Sequence, residues 1–212
     1  MKDGITGEKV NIAVFVSGGG TNLQALLDAE KSGIIRSGHI VLVVSDNPAA
    51  YALQRAKNAG KDTATAEKNG HTQEEFEAEL TAVLKKYNIG LIVLAGFLRI
   101  FSPSFVKNYE NRIINVHPSL IPSFCGKGYY GLRVHEAALA YGVKVTGATV
   151  HFVNEIPDGG KIIMQKAVEI QPNDTPETLQ QRVMREAEWK ILPLSAEKVC
   201  ENMLARDNGA GE

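Results

Sequence analysis

Apolar runs alternate along the chain with segments that carry apolar residues at helical spacing. Residues 10–16, 40–45 and 91–96 are near-continuous runs rich in Val, Ile and Leu, and a shorter run covers 112–116. Runs without polar alternation are typical of strands that are covered on both faces of a parallel sheet. The pattern therefore predicts a parallel sheet with helices on both of its faces.

Helix signals lie between and after these runs. Thr72 and Glu75 form a capping-box pattern, and Thr175 followed by Pro176 has the residue types preferred at the N-cap and the first position of a helix. Pro193 is expected to interrupt the last helix, because proline lacks the backbone N–H donor. The first of these helices is predicted to bury one face, which carries apolar residues at helical spacing: Phe76, Leu80, Val83, Leu84 and Tyr87.

The C-terminal half shows a different pattern. Residues 145–153 and 160–170 alternate apolar and other residues on either side of a Pro-Asp-Gly-Gly turn, as an antiparallel pair does. The predicted fold class is α/β, with an open, Rossmann-like twisted sheet that is mostly parallel and has an antiparallel C-terminal portion. We expect one domain over residues 1–212, with flexible tails at 1–8 and 206–212.

Composition and charge restrict the classes of partner. The chain has 212 residues, of which 44% are hydrophobic, enough for a sizeable core. Its 23 basic and 24 acidic residues leave a formal charge of -1, which does not favour a nucleic acid or an anionic membrane. Cys125 and Cys200 lack metal-ligand spacing, and the N-terminal sequence has no apolar segment long enough for a signal or a membrane span. We expect a cytoplasmic protein without a metal.

The first apolar run is followed by a glycine-rich stretch, Ser-Gly-Gly-Gly-Thr-Asn, at 17–22. Glycines allow backbone N–H groups to approach an anion, and a helix that begins at Thr21 or Asn22 would direct its positive end to the same point. The stretch is not a Walker loop, and Leu23 stands where a dinucleotide fingerprint requires its third glycine. It indicates either a phosphate-binding turn or a plain glycine-rich connection.

Two polar residues at the end of the run 112–116 suggest catalytic chemistry. Asn115 and His117 are two positions apart, so their side chains project to the same side of an extended strand. An amide donor and an imidazole suit a developing oxyanion, and Pro118 and Pro122 restrict the exit of the chain. A structural interpretation is also open, since asparagine caps turns and a single histidine is more often structural than catalytic.

Asp158 lies in the turn between the two antiparallel segments. Aspartate in such a sequence is commonly a β-turn residue. Alternatively, Asp158 pairs with His117, raises the pKa of the imidazole, orients it and holds a water for proton transfer. The histidines at 39, 71 and 151 are interpreted as structural.

Five stretches of the chain form a recognisable combination: SGGGTNLQALL, LAGFLRIFSP, INVHPSLIPSF, VTGATVHFVNEIPDGGKII and AEWKILP. The most specific part is Asn-x-His-Pro-Ser, followed roughly forty residues later by His-Phe-Val and an Asp-Gly turn. Together they resemble the folate-dependent phosphoribosylglycinamide formyltransferase family, from about Val10 to Met203.

The resemblance implies a reaction and a set of site residues. The reaction is formyl transfer from the co-substrate 10-formyltetrahydrofolate to the primary amine of N1-(5-phosphoribosyl)glycinamide in purine (IMP) biosynthesis, by a monomer or homodimer without a metal. The family's catalytic residues match Asn115, His117 and Asp158. Its phosphate-binding loop matches Gly20, Thr21 and Asn22, and a substrate-binding glutamate matches Glu188. Its folate pocket matches Leu98, Arg99, Ile100, Phe101, Asn154 and Asp158.

The sequence departs from the family pattern at three places. The loop 125–135 is a few residues longer, Gln73 stands where some members have an arginine near the folate tail, and Trp189 stands where many have a histidine. Hydrolysis of 10-formyltetrahydrofolate and formyl transfer to another amine are alternative functions. A more distant alternative is a non-catalytic nucleotide-binding module that uses 17–22 for a phosphate and Asp46 for a ribose hydroxyl.

Overall fold

The computed structural model describes residues 5–6, 9–207 and 209. Most of the two predicted tails lies outside this part, although Ile5–Thr6 pair with the next strand and the last helix extends to Asp207. The strands are β1 Ile5–Thr6, β2 Lys9–Val16, β3 Gly38–Ser45, β4 Asp62–Thr65, β5 Leu91–Leu94, β6 Ile113–His117, β7 Val145–Phe152 and β8 Ile162–Glu169. The helices are α1 Thr21–Lys31, α2 Tyr51–Asn58, α3 Gln73–Lys86, α4 Pro103–Asn108, α5 Leu132–Tyr141, α6 Pro176–Val183 and α7 Trp189–Asp207, with a π-helical turn at Met184–Glu188.

The strands form one sheet with the order β4-β3-β2-β5-β6-β7-β8, and β1 pairs with β2. The pairs among β2, β3, β4, β5 and β6 are parallel. The pairs β6–β7 and β7–β8 are antiparallel. This confirms the predicted sheet, parallel first and antiparallel towards the C-terminus, with β6 at the point of change.

Alternate residues of β2 enter two cores on opposite faces of the sheet. Ile12 and Val14 are fully buried in a core to which α1, α2, α6 and α7 contribute. Ala13 and Phe15 are fully buried in the other core, where they join Phe76 of α3 and residues of α4. Helices therefore cover both faces, which is why the β2 sequence is apolar at successive positions rather than alternating.

Helix α3 begins where its sequence predicts. The Thr72 hydroxyl accepts from the backbone N–H of Glu75 at 3.2 Å, and the Glu75 carboxylate accepts from the backbone N–H of Thr72 at 2.8 Å. Thr175 caps α6 in the same manner, with Pro176 at its first position. No helix of the described residues is long and apolar enough to cross a lipid bilayer.

Two features of the fold differ from the sequence pattern. Pro193 does not interrupt the last helix, since α7 runs through it to Asp207. Helical backbone continues from α6 through the π-helical turn into α7, and this turn lies directly before the part of α7 that contains Pro193, so the irregularity is a local change of helix type rather than an end of the helix. Strand β4 has the sequence Asp-Thr-Ala-Thr and no apolar run, because it is a short edge strand that is only partly buried.

The carboxyl ends of β2 and β5 are joined at one edge of the sheet. The backbone N–H of Ser17 donates to the carbonyl of Gly96 at 3.1 Å, and the Ser17 hydroxyl accepts from the backbone N–H of Leu98 at 3.0 Å. β6 ends at the same edge, because it is parallel to β5. Open α/β sheets bind their ligands at this edge.

Candidate active site

Strand β6 carries Asn115 and His117 as alternate residues, so both side chains project to the same side. His117 is buried and Asn115 is half-buried. The antiparallel pairing with β7 places His151 opposite Asn115 and Thr149 opposite His117. The amide and the imidazole that the sequence spacing predicts to converge therefore lie together at the ligand-binding edge of the sheet.

Both ring nitrogens of His117 face an oxygen. Nε2 is 2.9 Å from the carbonyl oxygen of Phe124, and Nδ1 is 3.5 Å from Oδ2 of Asp158. Nε2 carries a proton, because a carbonyl oxygen can only accept. A second proton on Nδ1 would face the carboxylate of Asp158, so this geometry stabilises the imidazolium form once it is made.

Burial lowers the pKa of His117, because a charged ring is less favourable away from water. The carboxylate of Asp158 and the carbonyl of Phe124 raise this pKa, but they do not offset burial. The expected effect of Asp158 is thus correct in direction, whereas the net pKa is below the ordinary histidine value. At pH 7 the ring is predominantly neutral with its proton on Nε2.

Asp158 is held by contacts on both of its carboxylate oxygens. Oδ2 accepts from the backbone N–H of Gly126 at 2.7 Å, and Oδ1 lies 3.5 Å from Nε2 of His151. Burial raises the pKa of Asp158, but the contact with His151, the charge of His117 and the Gly126 N–H outweigh burial, and the net pKa is lowered. Its φ of 56° is in the left-handed region, which is uncommon for a residue other than glycine. Asp158 is therefore an ionised, preorganised group.

His151 belongs to the site, although the sequence pattern indicates a structural residue. Its Nδ1 lies 2.8 Å from the carbonyl oxygen of Phe152 and must donate to it, so Nε2 of the neutral ring is an acceptor. The Asn115 amide lies 3.3 Å from this Nε2 and donates to it in that form. When Nε2 also carries a proton, it faces Oδ1 of Asp158 as a donor, and that is the contact that lowers the pKa of Asp158. His151 therefore fixes which way the Asn115 amide is turned. Its position opposite Asn115 depends on the β6–β7 register, which the sequence of β7 alone does not give.

The segment after β6 folds back against Thr149 of β7 and returns to His117. The buried Thr149 hydroxyl donates to the carbonyl of Ser119 at 2.7 Å and accepts from the backbone N–H of Ile121 at 3.1 Å. The chain then turns at Phe124, with a φ of 48°, and presents the carbonyl that accepts from His117. The prolines of this segment predict a restricted path of the chain after β6. That path brings the backbone carbonyl of Phe124 to the imidazole of His117.

Helix α1 begins directly after the glycine-rich stretch. Gly20 is its N-cap, with a φ of 74°, and a Cβ there would lie 2.6 Å from the Cβ of Ala52, so a side chain is not accommodated. No side chain of the described residues caps this helix end. The N–H groups of the first turn of α1 therefore lack intrahelical acceptors, a geometry that suits an anion, and Arg55, whose Nε donates to the carbonyl of Gly19 at 2.8 Å, adds positive charge.

Asn22 joins the glycine-rich turn to the C-terminal part of the chain. Its Nδ2 donates to Oε2 of Glu188 at 2.6 Å in a buried contact, whereas its Oδ1 is buried without a hydrogen-bond partner among the described residues. Glu188 ends the π-helical turn, a feature that is frequent at functional sites. Burial raises the pKa of Glu188 to about 7, although the Asn22 hydrogen bond lowers it. The two predicted substrate-binding elements are therefore in direct contact.

The predicted folate residues occupy an irregular segment after β5 and the turn before β8. Leu98 and Ile100 are 65% and 72% exposed, which is unusual for large aliphatic side chains and suits an apolar ligand wall. Arg99 is bound to Asp46, with Nε 2.6 Å from Oδ2. The ring of Phe101 is buried and stacks on Phe105 at a centroid distance of 4.4 Å. Only its backbone is left for a ligand.

Asn154 has a local role in the turn that carries Asp158. Its side-chain oxygen accepts from the backbone N–H of Ile156 at 3.0 Å, and Ile156 is itself 66% exposed. Gly160 follows in the turn, where a Cβ would be 1.7 Å from the carbonyl oxygen of Phe152. This turn therefore places an exposed aliphatic side chain close in sequence to the carboxylate of Asp158.

The arrangement can stabilise a negative oxygen and move a proton. One N–H of the Asn115 amide is committed to His151, and the other is free of that contact. His117 supplies a second donor, and Asp158 supplies the carboxylate beside it. Among the described residues no group of three or more His, Cys, Asp or Glu is arranged to hold a metal ion. The chemistry that fits best is attack on a carbonyl carbon with a charged tetrahedral intermediate.

Known proteins are similar to this chain in both fold and sequence. A solved structure described as glycinamide ribonucleotide transformylase 1 from Symbiobacterium toebii superposes with a TM-score of 0.86 and 39% identity, over 93% of this chain and 90% of that one. The chloroplastic phosphoribosylglycinamide formyltransferase of Arabidopsis thaliana is 37% identical over 93% of this chain and 68% of its own length.

A second group of relatives is much longer. The trifunctional purine biosynthetic protein adenosine-3 of Gallus gallus is 44% identical over 90% of this chain, which spans 18% of that protein's length. The formyl transferase family model matches residues 10–195. The chain therefore belongs to the formyl transferase family.

Proposed function

We propose that this protein transfers the formyl group of 10-formyltetrahydrofolate to the primary amine of N1-(5-phosphoribosyl)glycinamide, a step of purine biosynthesis. The observation that carries the proposal is the convergence of Asn115, His117 and Asp158 at the sheet edge of a formyl transferase fold. The names of the relatives from Symbiobacterium toebii and Arabidopsis thaliana support the same acceptor.

The roles of the catalytic side chains follow from their contacts. When the amine attacks the formyl carbon, the former carbonyl oxygen becomes negative, and the free N–H of Asn115 and the N–H of His117 donate to it. In the structure the Nε2–H of His117 is already hydrogen-bonded to the carbonyl of Phe124. To donate to the substrate oxygen, His117 has to break this bond or gain a second proton on Nδ1, beside Asp158. Asp158 stabilises the charged ring and, through a water, passes the proton of the attacking amine to the departing folate nitrogen.

Substrate positions follow from the remaining predicted residues. The N-terminus of α1, with Gly20, Thr21 and the backbone of Asn22, binds the substrate phosphate. Glu188 binds the ribonucleotide beside it. The exposed aliphatic side chains and backbone of 98–101, with the turn 154–158, form the walls for the pterin ring. We also propose that these elements belong to one domain, since the described strands form one sheet.

The test is an absorbance assay with purified protein, 10-formyltetrahydrofolate and the ribonucleotide, run with and without the ribonucleotide. Deformylated folate that forms only in its presence is the expected result. Release that is independent of the ribonucleotide would instead identify a hydrolase. No release in either tube, with thermal protection by ATP or NAD but not by a folate, would identify a nucleotide-binding module and contradict the proposal.

A further inference from the structure

The proposed pterin wall, residues 98–101, continues into Ser102, and this segment 98–102 has no regular secondary structure but is tied to three different elements. The Leu98 N–H donates to Ser17, which follows β2, and the Arg99 side chain is bound to Asp46, which follows β3. An irregular loop without such ties would be mobile. The third element is α3, and its contacts are the most extensive.

Glu77 of α3 is a buried carboxylate, only 7% exposed, and it points at the end of this wall. Oε1 accepts from the backbone N–H of Ser102 at 2.6 Å, and Oε2 accepts from the Ser102 hydroxyl. Ser102 in turn caps α4, because its hydroxyl accepts from the backbone N–H of Phe105 at 3.2 Å. One carboxylate therefore fixes both the residue that directly follows the wall and the helix after it.

Gln73, one turn earlier on α3, adds a second contact. Its Nε2 lies 2.6 Å from Oε1 of Glu77 and 3.3 Å from the carbonyl oxygen of Ile100, and its Oε1 accepts from the Lys68 ammonium at 2.6 Å. The contacts with Lys68 and Glu77 therefore orient the Gln73 side chain so that its amide donates to the carbonyl of Ile100. A buried carboxylate costs free energy unless it is fully hydrogen-bonded, and here its partners are the backbone N–H and hydroxyl of Ser102 and the amide of Gln73.

We propose that Glu77 and Gln73 are positioning residues, which hold the backbone of 98–102 in the conformation that binds the pterin ring. They do not touch the reacting atoms. The inference rests on the proposed function for the identity of the ligand. It concerns the affinity for the folate rather than the acceptor or the chemical step.

The test compares variants of two matched carboxylates. Glu197 is also 7% exposed, and it accepts from the backbone N–H of Arg36 and Ser37 and from the Ser37 hydroxyl, but it lies at the opposite edge of the sheet, where Gly38 begins β3. Glu77→Gln, Gln73→Ala and Glu197→Gln are purified, and their thermal stability is measured. Binding of 10-formyl-5,8-dideazafolate is then measured by calorimetry, and kcat and both KM values are measured by the formyl-transfer assay.

We expect Glu77→Gln to weaken binding of 10-formyl-5,8-dideazafolate by about tenfold and Gln73→Ala by about threefold, in line with the loss of hydrogen bonds from buried groups. The KM for the folate should rise in parallel, with kcat and the KM for the ribonucleotide within about twofold of the wild type. Glu197→Gln should lower the melting temperature without changing folate affinity.

The inference is overturned if Glu77→Gln and Glu197→Gln both lose stability while folate affinity is unchanged in each, because Glu77 would then be structural only. It is also overturned if Glu77→Gln lowers kcat with unchanged folate affinity. A wild-type protein that binds the dideazafolate but transfers no formyl group would contradict the proposed function and leave the affinity comparison as a test of the positioning role.

Discussion

Nδ1 of His117 lies 3.5 Å from Oδ2 of Asp158, on the opposite side of the ring from the Phe124 carbonyl that fixes the Nε2 proton. The carboxylate thus faces the only position at which the neutral imidazole gains a proton. Burial lowers the pKa of His117, and Asp158 raises it. The balance between these two effects sets the pH range in which the ring is charged.

Replacement of Asp158 by asparagine is expected to lower the pKa of His117 further, because the neighbouring negative charge is removed while burial is kept. If the protonated ring is the active form, the decline of kcat/KM with rising pH should move to lower pH, and activity at pH 7 should fall by about a hundredfold. Asp174→Asn, which removes a buried carboxylate paired with Arg182 directly before α6, is the control. An unchanged pH profile in Asp158→Asn would contradict the assigned role.

His151→Phe should reduce kcat by about tenfold, because the Asn115 amide loses the acceptor that orients it. The KM for the ribonucleotide should change little, since that substrate is assigned to other residues. His39→Phe is a suitable control, as His39 is paired with Glu30 on the surface. Full activity of His151→Phe in a steady-state assay would show that the Asn115 amide does not need His151 for its orientation.

Gly20→Ala should destabilise the protein by about 2 kcal/mol, since an alanine would adopt a left-handed conformation and its Cβ would meet Ala52 at 2.6 Å. Gly18→Ala is the matched control, with an ordinary φ and nothing within 4 Å of its added Cβ. Urea unfolding without ligand measures both. Equal stability of the two variants would contradict the described geometry of the turn.

Glu188→Gln should make the protein more stable than the wild type at alkaline pH. The folded pKa of Glu188 is raised to about 7, so its contribution to stability is complete below the ordinary value of 4.5 and is lost as the pH rises through 7. Glutamine keeps the acceptor for Asn22 and does not ionise. The difference between the unfolding free energies of variant and wild type should therefore grow between pH 4.5 and 7, by on the order of 3 kcal/mol. A difference that is constant with pH would show that Glu188 ionises freely.

The sequence predicts the parallel strands well, because strands such as β2 have both faces buried and their apolar runs are continuous. The start of α3 follows from the local Thr72 and Glu75 pair, which needs no tertiary information. The projection of Asn115 and His117 to the same side of β6 follows from strand periodicity. β4 is not predicted, because an edge strand with partly exposed residues carries no apolar signal.

The parts of the site that depend on distant pairing do not follow from local pattern. His151 faces Asn115 only through the register of β6 and β7, and Asn22 meets Glu188 across 166 residues. The burial of the Phe101 ring among other aromatic rings likewise depends on packing between helices and sheet. The net pKa of His117 reflects three-dimensional burial, which outweighs the effect of Asp158.

The most direct test of the proposed formyl transfer compares the rates of the wild type and of His117→Ala with the ribonucleotide as acceptor. The melting temperature of each protein is the check on folding. We predict that the wild type transfers the formyl group and that His117→Ala is slower by about a hundredfold or more with little change in stability. A folded His117→Ala protein that transfers the formyl group at the wild-type rate would contradict it.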